Sequence, residues 1–119
     1  MAIRTFILKL ITFVFIASLV SASETSITDR SDFENLVFNK KLERFLISLS
    51  VTDEGKIKGS AAGMSVTGDW DWIDGFFCRT LLWGARELKY NCQLVTFDGK
   101  RLRFISDQGK GKSASFALR

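Results

Sequence analysis

Met64-Ser65-Val66-Thr67-Gly68-Asp69-Trp70-Asp71-Trp72-Ile73-Asp74-Gly75-Phe76-Phe77-Cys78-Arg79 sets the architecture of this chain. Met64, Val66, Gly68, Trp70 and Trp72 alternate with Ser65, Thr67, Asp69 and Asp71, and a period of two presents one apolar and one polar face only in an extended strand. Asp74-Gly75 follows at once. Glycine accepts the positive φ of a type I′ turn, so the pair predicts a tight hairpin into a second strand over 76–83.

The same grammar extends in both directions. Upstream, Phe45, Ile47, Leu49 and Val51 alternate with Arg44, Leu46, Ser48 and Ser50, which reads as one strand over 43–51. Asp53-Glu54-Gly55 turns it into a strand over 56–61, and Gly63 turns that one into the strand already described. Downstream, strands are expected over 88–97, 101–106 and 113–118, separated by Asp98-Gly99 and by a looser link carrying Gly109 and Gly111. Seven strands on short turns, with no proline and no long crossover, predict an antiparallel meander that curls into a small barrel or half-barrel. Ahead of it, Ser31-Asp32-Phe33-Glu34 has the form of a capping box, and Phe33, Leu36 and Val37 make one stripe of a short helix ending near Asn39.

The two cysteines agree with this folding. Cys78 and Cys92 lie symmetrically about Ala85, in the Gly84-Ala85-Arg86 connection, so strands folded back there set Cys78 opposite Cys92, Arg79 opposite Asn91 and Thr80 opposite Tyr90. Directly opposed residues are within disulfide reach. A disulfide also suits the first 22 residues. Arg4 precedes an apolar run over 6–20, and Val20-Ser21-Ala22 has the small-residue form of a signal-peptidase site. The run is too short for a membrane span. The expected organisation is a cleaved secretory signal over 1–22, an N-terminal segment with a short helix over 23–42, and a β-meander over 43–119, secreted into the periplasm and not integral to the membrane after cleavage.

Charge and composition narrow the function. Loss of Arg4 and Lys9 lowers the net charge from +4 to +2, which removes most of the case for nucleic acid as a partner. The remainder is unevenly spread. Residues 79–119 carry nine basic groups against Glu87, Asp98 and Asp107, an asymmetry able to orient the protein toward an anionic surface. Histidine is absent, and with it the commonest general base and metal ligand. Asp69, Asp71 and Asp74 fall short of a metal-binding loop, which brings more ligands into a tight glycine-shaped arc. The reading assigns no catalytic residue, no metal and no cofactor.

What remains is recognition surface. Trp70 and Trp72 are expected as core aromatics. Phe77, Arg79, Leu81 and Trp83 lie on the face opposite Cys78, and together with Asn91 and Gln93 they make the candidate binding surface: apolar groups around an arginine able to grip an anion. Packing of the N-terminal helix on that face would account for them equally well.

Val66 to Trp72, then Asp74-Gly75-Phe76-Phe77-Cys78-Arg79, Trp83-Gly84, Tyr90-Asn91-Cys92-Gln93 and Phe104-Ile105-Ser106-Asp107-Gln108-Gly109 resemble a family of small exported bacterial proteins over nearly all of the chain after residue 22. Members of that family are often labelled dihydrodipicolinate reductase. The reductase proper is a two-domain cytoplasmic enzyme with a glycine-rich nucleotide turn and a histidine-containing catalytic motif. Neither motif has a matching position here, so the resemblance transfers no catalytic residue. Three readings follow. The first is a non-enzymatic binding module of the cell envelope, holding a small apolar or amphipathic ligand between its inner aromatics. The second is a β-barrel that binds an envelope protein through one outer face, as a secreted protease inhibitor does. The third is the reductase of the label. A cavity favours the first, and a filled core under an exposed aromatic face favours the second.

Overall fold

Strands with one apolar face need a shared interior, and the register of this sheet supplies one. The computed structural model describes Thr12 and residues 23–119. The expected signal over 1–22 therefore falls, Thr12 apart, outside the described residues. The elements are β1 (Thr25–Ile27), α1 (Arg30–Val37), β2 (Leu42–Arg44), β3 (Ile47–Val51), β4 (Lys56–Ala61), β5 (Met64–Ile73), β6 (Phe76–Trp83), β7 (Arg86–Phe97), β8 (Arg101–Ile105) and β9 (Ser113–Leu118). Strands β2 to β9 form an antiparallel meander closed by pairing of β9 with β2, an eight-stranded barrel, and β1 lies beside β7 as a ninth strand.

The architecture is as expected, with two corrections to the seven-strand count. The span 43–51 is a hairpin rather than one strand. Arg44 pairs with Ile47, and Phe45-Leu46 forms the two-residue turn, with Leu46 at φ 61°. Such turns favour Asn, Asp and Gly, and their absence made the segment read as continuous alternation. Strand β1 is too short to show a period.

Trp70 and Trp72 point inward, and Asp69 and Asp71 point outward, as the alternation predicts. Asp74 and Gly75 take φ of 53° and 83°, the two positive values of a type I′ turn. At Gly68 the wall bends so tightly that a Cβ would collide with the Thr80 carbonyl, so glycine here allows closure. Outward positions of β3 to β5 include Ser48, Ser50, Lys58, Ser60 and Thr67. Among the described residues no helix is long and apolar enough to cross a membrane.

Helix α1 plugs one end of the barrel. Phe33 and Val37 are fully buried, and the Phe33 ring lies 4.8 Å from that of Trp72, 5.2 Å from Phe77 and 5.7 Å from Trp70. The Trp70 and Trp72 indoles donate to the Thr52 and Thr28 carbonyls, fastening the same end. The capping-box reading is corrected. Asp29 is the N-cap, accepting from the Ser31 N–H at 3.3 Å, while Glu34 accepts from Arg30 at 2.7 Å. An i,i+4 ion pair, extended by Arg30 to Asp71, takes the carboxylate that the box required. The helix stops at Val37, because Asn39 turns to φ 63°.

The cysteine register holds by a different route. Trp83 pairs with Arg86 across a two-residue turn, and Thr80 then faces both Lys89 and Tyr90 in a β-bulge. The extra residue of the bulge replaces the third residue of the expected loop. Cys78 meets Cys92 and Arg79 meets Asn91, but Thr80 has no simple partner. Cys78 and Cys92 are disulfide-bonded, with Cα atoms 3.9 Å apart, and Cys78 is buried. Such a bond belongs to an oxidising compartment.

Candidate ligand-binding lumen

Strand pairing decides where the candidate surface lies. Trp70 pairs with Arg79, Trp72 with Phe77, and Phe77 with Gln93. Cross-strand partners share a face. Phe77, Arg79, Leu81, Trp83, Asn91 and Gln93 therefore face the lumen that also holds Trp70, and they form no separate outer surface. Phe77 in particular is core, only 4% exposed and in aromatic contact with Phe33, Trp70 and Phe104. It was placed on a recognition face because alternation gives a parity within one strand but not the side of the sheet. The alternative, cover by the helix, describes Phe77 correctly.

Above the aromatic plug the lumen is not filled. A cavity of about 170 Å³ lies among Leu42, Leu49, Val51, Ile57, Leu81, Phe104, Ala114 and Phe116, with Arg79 and Gln93 as its polar members. Toward the open end it meets a second, almost wholly apolar hollow of about 420 Å³, lined by Phe45, Leu46, Ile47, Leu49, Ala61, Ala62, Val66, Leu81, Trp83, Leu88 and Phe116. Leu49, Leu81 and Phe116 line both, so the two hollows are consecutive sections of one lumen. An eight-stranded barrel has room for a packed core or one small ligand, and this one is packed at one end and hollow at the other.

Arg79 is the polar feature of that space. The β7 bulge frees a carbonyl at Lys89, and the Arg79 Nη1 donates to it at 2.7 Å. No carboxylate among the described residues pairs with Arg79. Burial pushes its pKa below the usual arginine value, and a guanidinium starts so high that it still carries its charge at neutral pH. Among the described residues, four of its five N–H donors are left for another acceptor. A second arginine, Arg44, stands at the open end with its guanidinium 5.7 Å from the Phe116 ring centre, again without a carboxylate partner among the described residues.

The other polar residues are committed to the wall. Asn91 donates to Asp107 at 2.8 Å and accepts from the Asp107 N–H at 2.9 Å, and Gln93 donates to Ser106 at 3.2 Å. These bonds hold the turn Ser106–Gly109, in which Asp107 and Gln108 sit at φ 54° and 56°. Trp83 donates its indole N–H to the Ala61 carbonyl at 2.9 Å, spanning the inner side of β5 and forming one wall of the mouth. The sequence reading missed Leu42, Leu49, Phe104, Ala114 and Phe116 as lining residues. Their alternation was legible, but nothing in it marks where a barrel interior is full and where it is hollow.

No family model, curated protein or solved structure matches this chain.

Proposed function

We propose that the protein is a non-enzymatic binding module of the cell envelope whose barrel lumen takes one small amphipathic ligand, an apolar chain carrying a single acidic group. The observation that carries this reading is Arg79: a half-buried guanidinium without a carboxylate partner among the described residues, at the edge of a hollow lined, Gln93 apart, by aliphatic and aromatic side chains. Taking a charge out of water without an opposite charge is unfavourable, and a bound carboxylate or phosphate offsets the cost by accepting from the unused N–H donors. Leu49, Leu81 and Phe116 would pack along the chain as it leaves the cavity for the mouth.

The same proposal includes secretion to the periplasm after cleavage of residues 1–22, and membership of the family of small exported proteins that the sequence resembles. The disulfide supports an oxidising destination. Mass spectrometry of the exported protein should find its N-terminus at Ser23 or Glu24, and an intact Met1 would refute cleavage.

Calorimetry with decanoate and decanol separates charge recognition from apolar filling. Wild-type protein should bind decanoate roughly tenfold more tightly than decanol, and Arg79→Met should abolish that preference while still binding decanol. Equal affinity for both probes in wild type, or a preference that survives in the variant, would overturn the assignment of Arg79.

A further inference from the structure

Four turns gather at the open end of the barrel. They are Phe45-Leu46 between β2 and β3, Ala62-Gly63 between β4 and β5, Gly84-Ala85 between β6 and β7, and the segment 106–112 between β8 and β9. The first is unusual in composition. A two-residue hairpin turn normally carries Asn, Asp or Gly, and here it carries phenylalanine and leucine, with Leu46 in the left-handed region at φ 61°. Both side chains project into solvent. Phe45 is 87% exposed and Leu46 63% exposed, the two highest values among the large apolar residues of the described chain. Local backbone preference does not explain them, and although both border the mouth of the lumen they stay largely in solvent. Met64, beside a neighbouring turn of the same end, is also exposed, and Leu88 lines the mouth.

The charges at this end have one dominant sign. Among the described residues, Arg44, Arg86, Lys89, Lys110 and Lys112 are all exposed there, against Glu43, Glu87 and Asp107, and Glu43 is paired with Arg119 at 3.1 Å. Asp107 is already engaged by Asn91. Arg44 and Phe45 border one surface groove together with Ser113, which brings the Lys112 segment alongside the apolar tip. At the plugged end the turns instead mix acidic and basic residues in near balance: Asp29, Asp32, Asp53, Glu54, Asp74 and Asp98 lie among Arg30, Lys40, Lys41, Lys56, Lys100 and Arg101. Four of the nine basic residues of 79–119, Arg86, Lys89, Lys110 and Lys112, thus lie at the rim of the open end.

We infer that this end docks on an anionic lipid surface, with Phe45 and Leu46 entering the headgroup boundary and the five basic residues lying over acidic headgroups. The pairing of a small apolar tip with a basic rim is what an anionic bilayer interface recognises, since apolar insertion and headgroup attraction act together. Separate convex tips suit a fluid interface that closes around each of them, whereas a protein partner would need a surface shaped to all of them at once. The inference stands on the tips and their charges, and Phe45 and Leu46 also border the mouth of the lumen.

The test uses the processed, exported protein and co-sedimentation with vesicles of phosphatidylglycerol and phosphatidylcholine, compared with phosphatidylcholine alone. Binding should be at least roughly tenfold stronger to the anionic vesicles and should weaken in about 0.5 M salt, where charges are screened. The double variant Phe45→Ser, Leu46→Asn puts turn-favouring residues at the tip, so its melting temperature should equal or exceed that of wild type. The variant should lose roughly tenfold or more in vesicle binding. Equal binding to both vesicle types, or undiminished binding by the variant, would overturn the inference. So would wild-type dimerisation in sedimentation velocity that the variant abolishes, since a second copy would then be the occupant of the tip.

Discussion

Replacing Phe33 by alanine should unseat the plug that closes one end of the barrel. Phe33 is fully buried, and its ring meets those of Trp70, Trp72, Phe77 and Phe104 at centroid separations of 5.7, 4.8, 5.2 and 6.3 Å. Truncating a buried phenylalanine costs about 3–5 kcal/mol through lost transfer energy and the cavity left behind. The aromatic contacts, each worth roughly 0.5–1.5 kcal/mol beyond area, place the expected loss at the upper end, about 4–5 kcal/mol. A domain of this size has only about 5–15 kcal/mol in all, so Phe33→Ala should melt roughly 20–30 °C below wild type. Urea unfolding under oxidising conditions, followed by tryptophan fluorescence, measures the loss. Fluorescence is apt because Phe33 stacks on Trp72. Asp32→Ala, one position away and exposed, is the control and should stay within about 0.5 kcal/mol of wild type. A Phe33→Ala loss under about 1 kcal/mol would refute the plug, because no truncation of a seated aromatic group is that mild.

Three further outcomes follow from the same geometry. Replacing Cys78 and Cys92 together by alanine should lower stability by about 2–4 kcal/mol in urea unfolding while the far-ultraviolet spectrum is preserved, and thiol titration of the native protein should find neither cysteine reduced. Trp70→Ala should cost about 3–5 kcal/mol, whereas Asp71→Ala, which removes an exposed ion pair with Arg30, should cost under about 1 kcal/mol; similar small losses from both would mean that inner and outer faces are exchanged. Asp98 accepts hydrogen bonds from the Arg101 and Lys100 backbone N–H groups, which hold its carboxyl below the usual carboxylate range. Because its folded pKa is depressed, the contribution of this turn is complete above the ordinary aspartate range and is lost as pH falls through the folded value. Carboxyl NMR titration should show Asp98 titrating below the ordinary aspartate range, and titration within or above that range would contradict the turn geometry.

How far the fold was legible depended on how local its determinants are. The alternation through Trp70 and Trp72 and the Asp74-Gly75 turn are decided by neighbours in sequence, and both stand in the structure. The Cys78–Cys92 pairing was legible because an even number of changes cancelled: one residue fewer in the turn at Gly84-Ala85, one residue more in the bulge opposite Thr80. The hairpin at Phe45-Leu46 was not legible, since its turn lacks the residues that normally specify one. Nor was the side of the sheet on which Phe77 and Arg79 lie. That side is set by barrel closure, a pairing of β2 with β9 between residues far apart in the chain. Arg79 and Trp83 were named as candidate residues, but strand pairing sets them on the lumen side with Trp70 and not on a separate outer surface. The hollow interior depends on the volumes of Leu49, Ala114 and Phe116 meeting across the lumen, which no single strand encodes.

The central claim is that an apolar chain lies inside the barrel with its acidic end at Arg79. Intermolecular nuclear Overhauser effects between unlabelled decanoate and methyl-labelled protein test it most directly. The account predicts contacts from the chain to the Leu49 and Leu81 methyls, with none to Leu82, which faces outward on the same strand. Contacts confined to Leu82 and the outer wall, with the lumen methyls unperturbed at saturating decanoate, would contradict it.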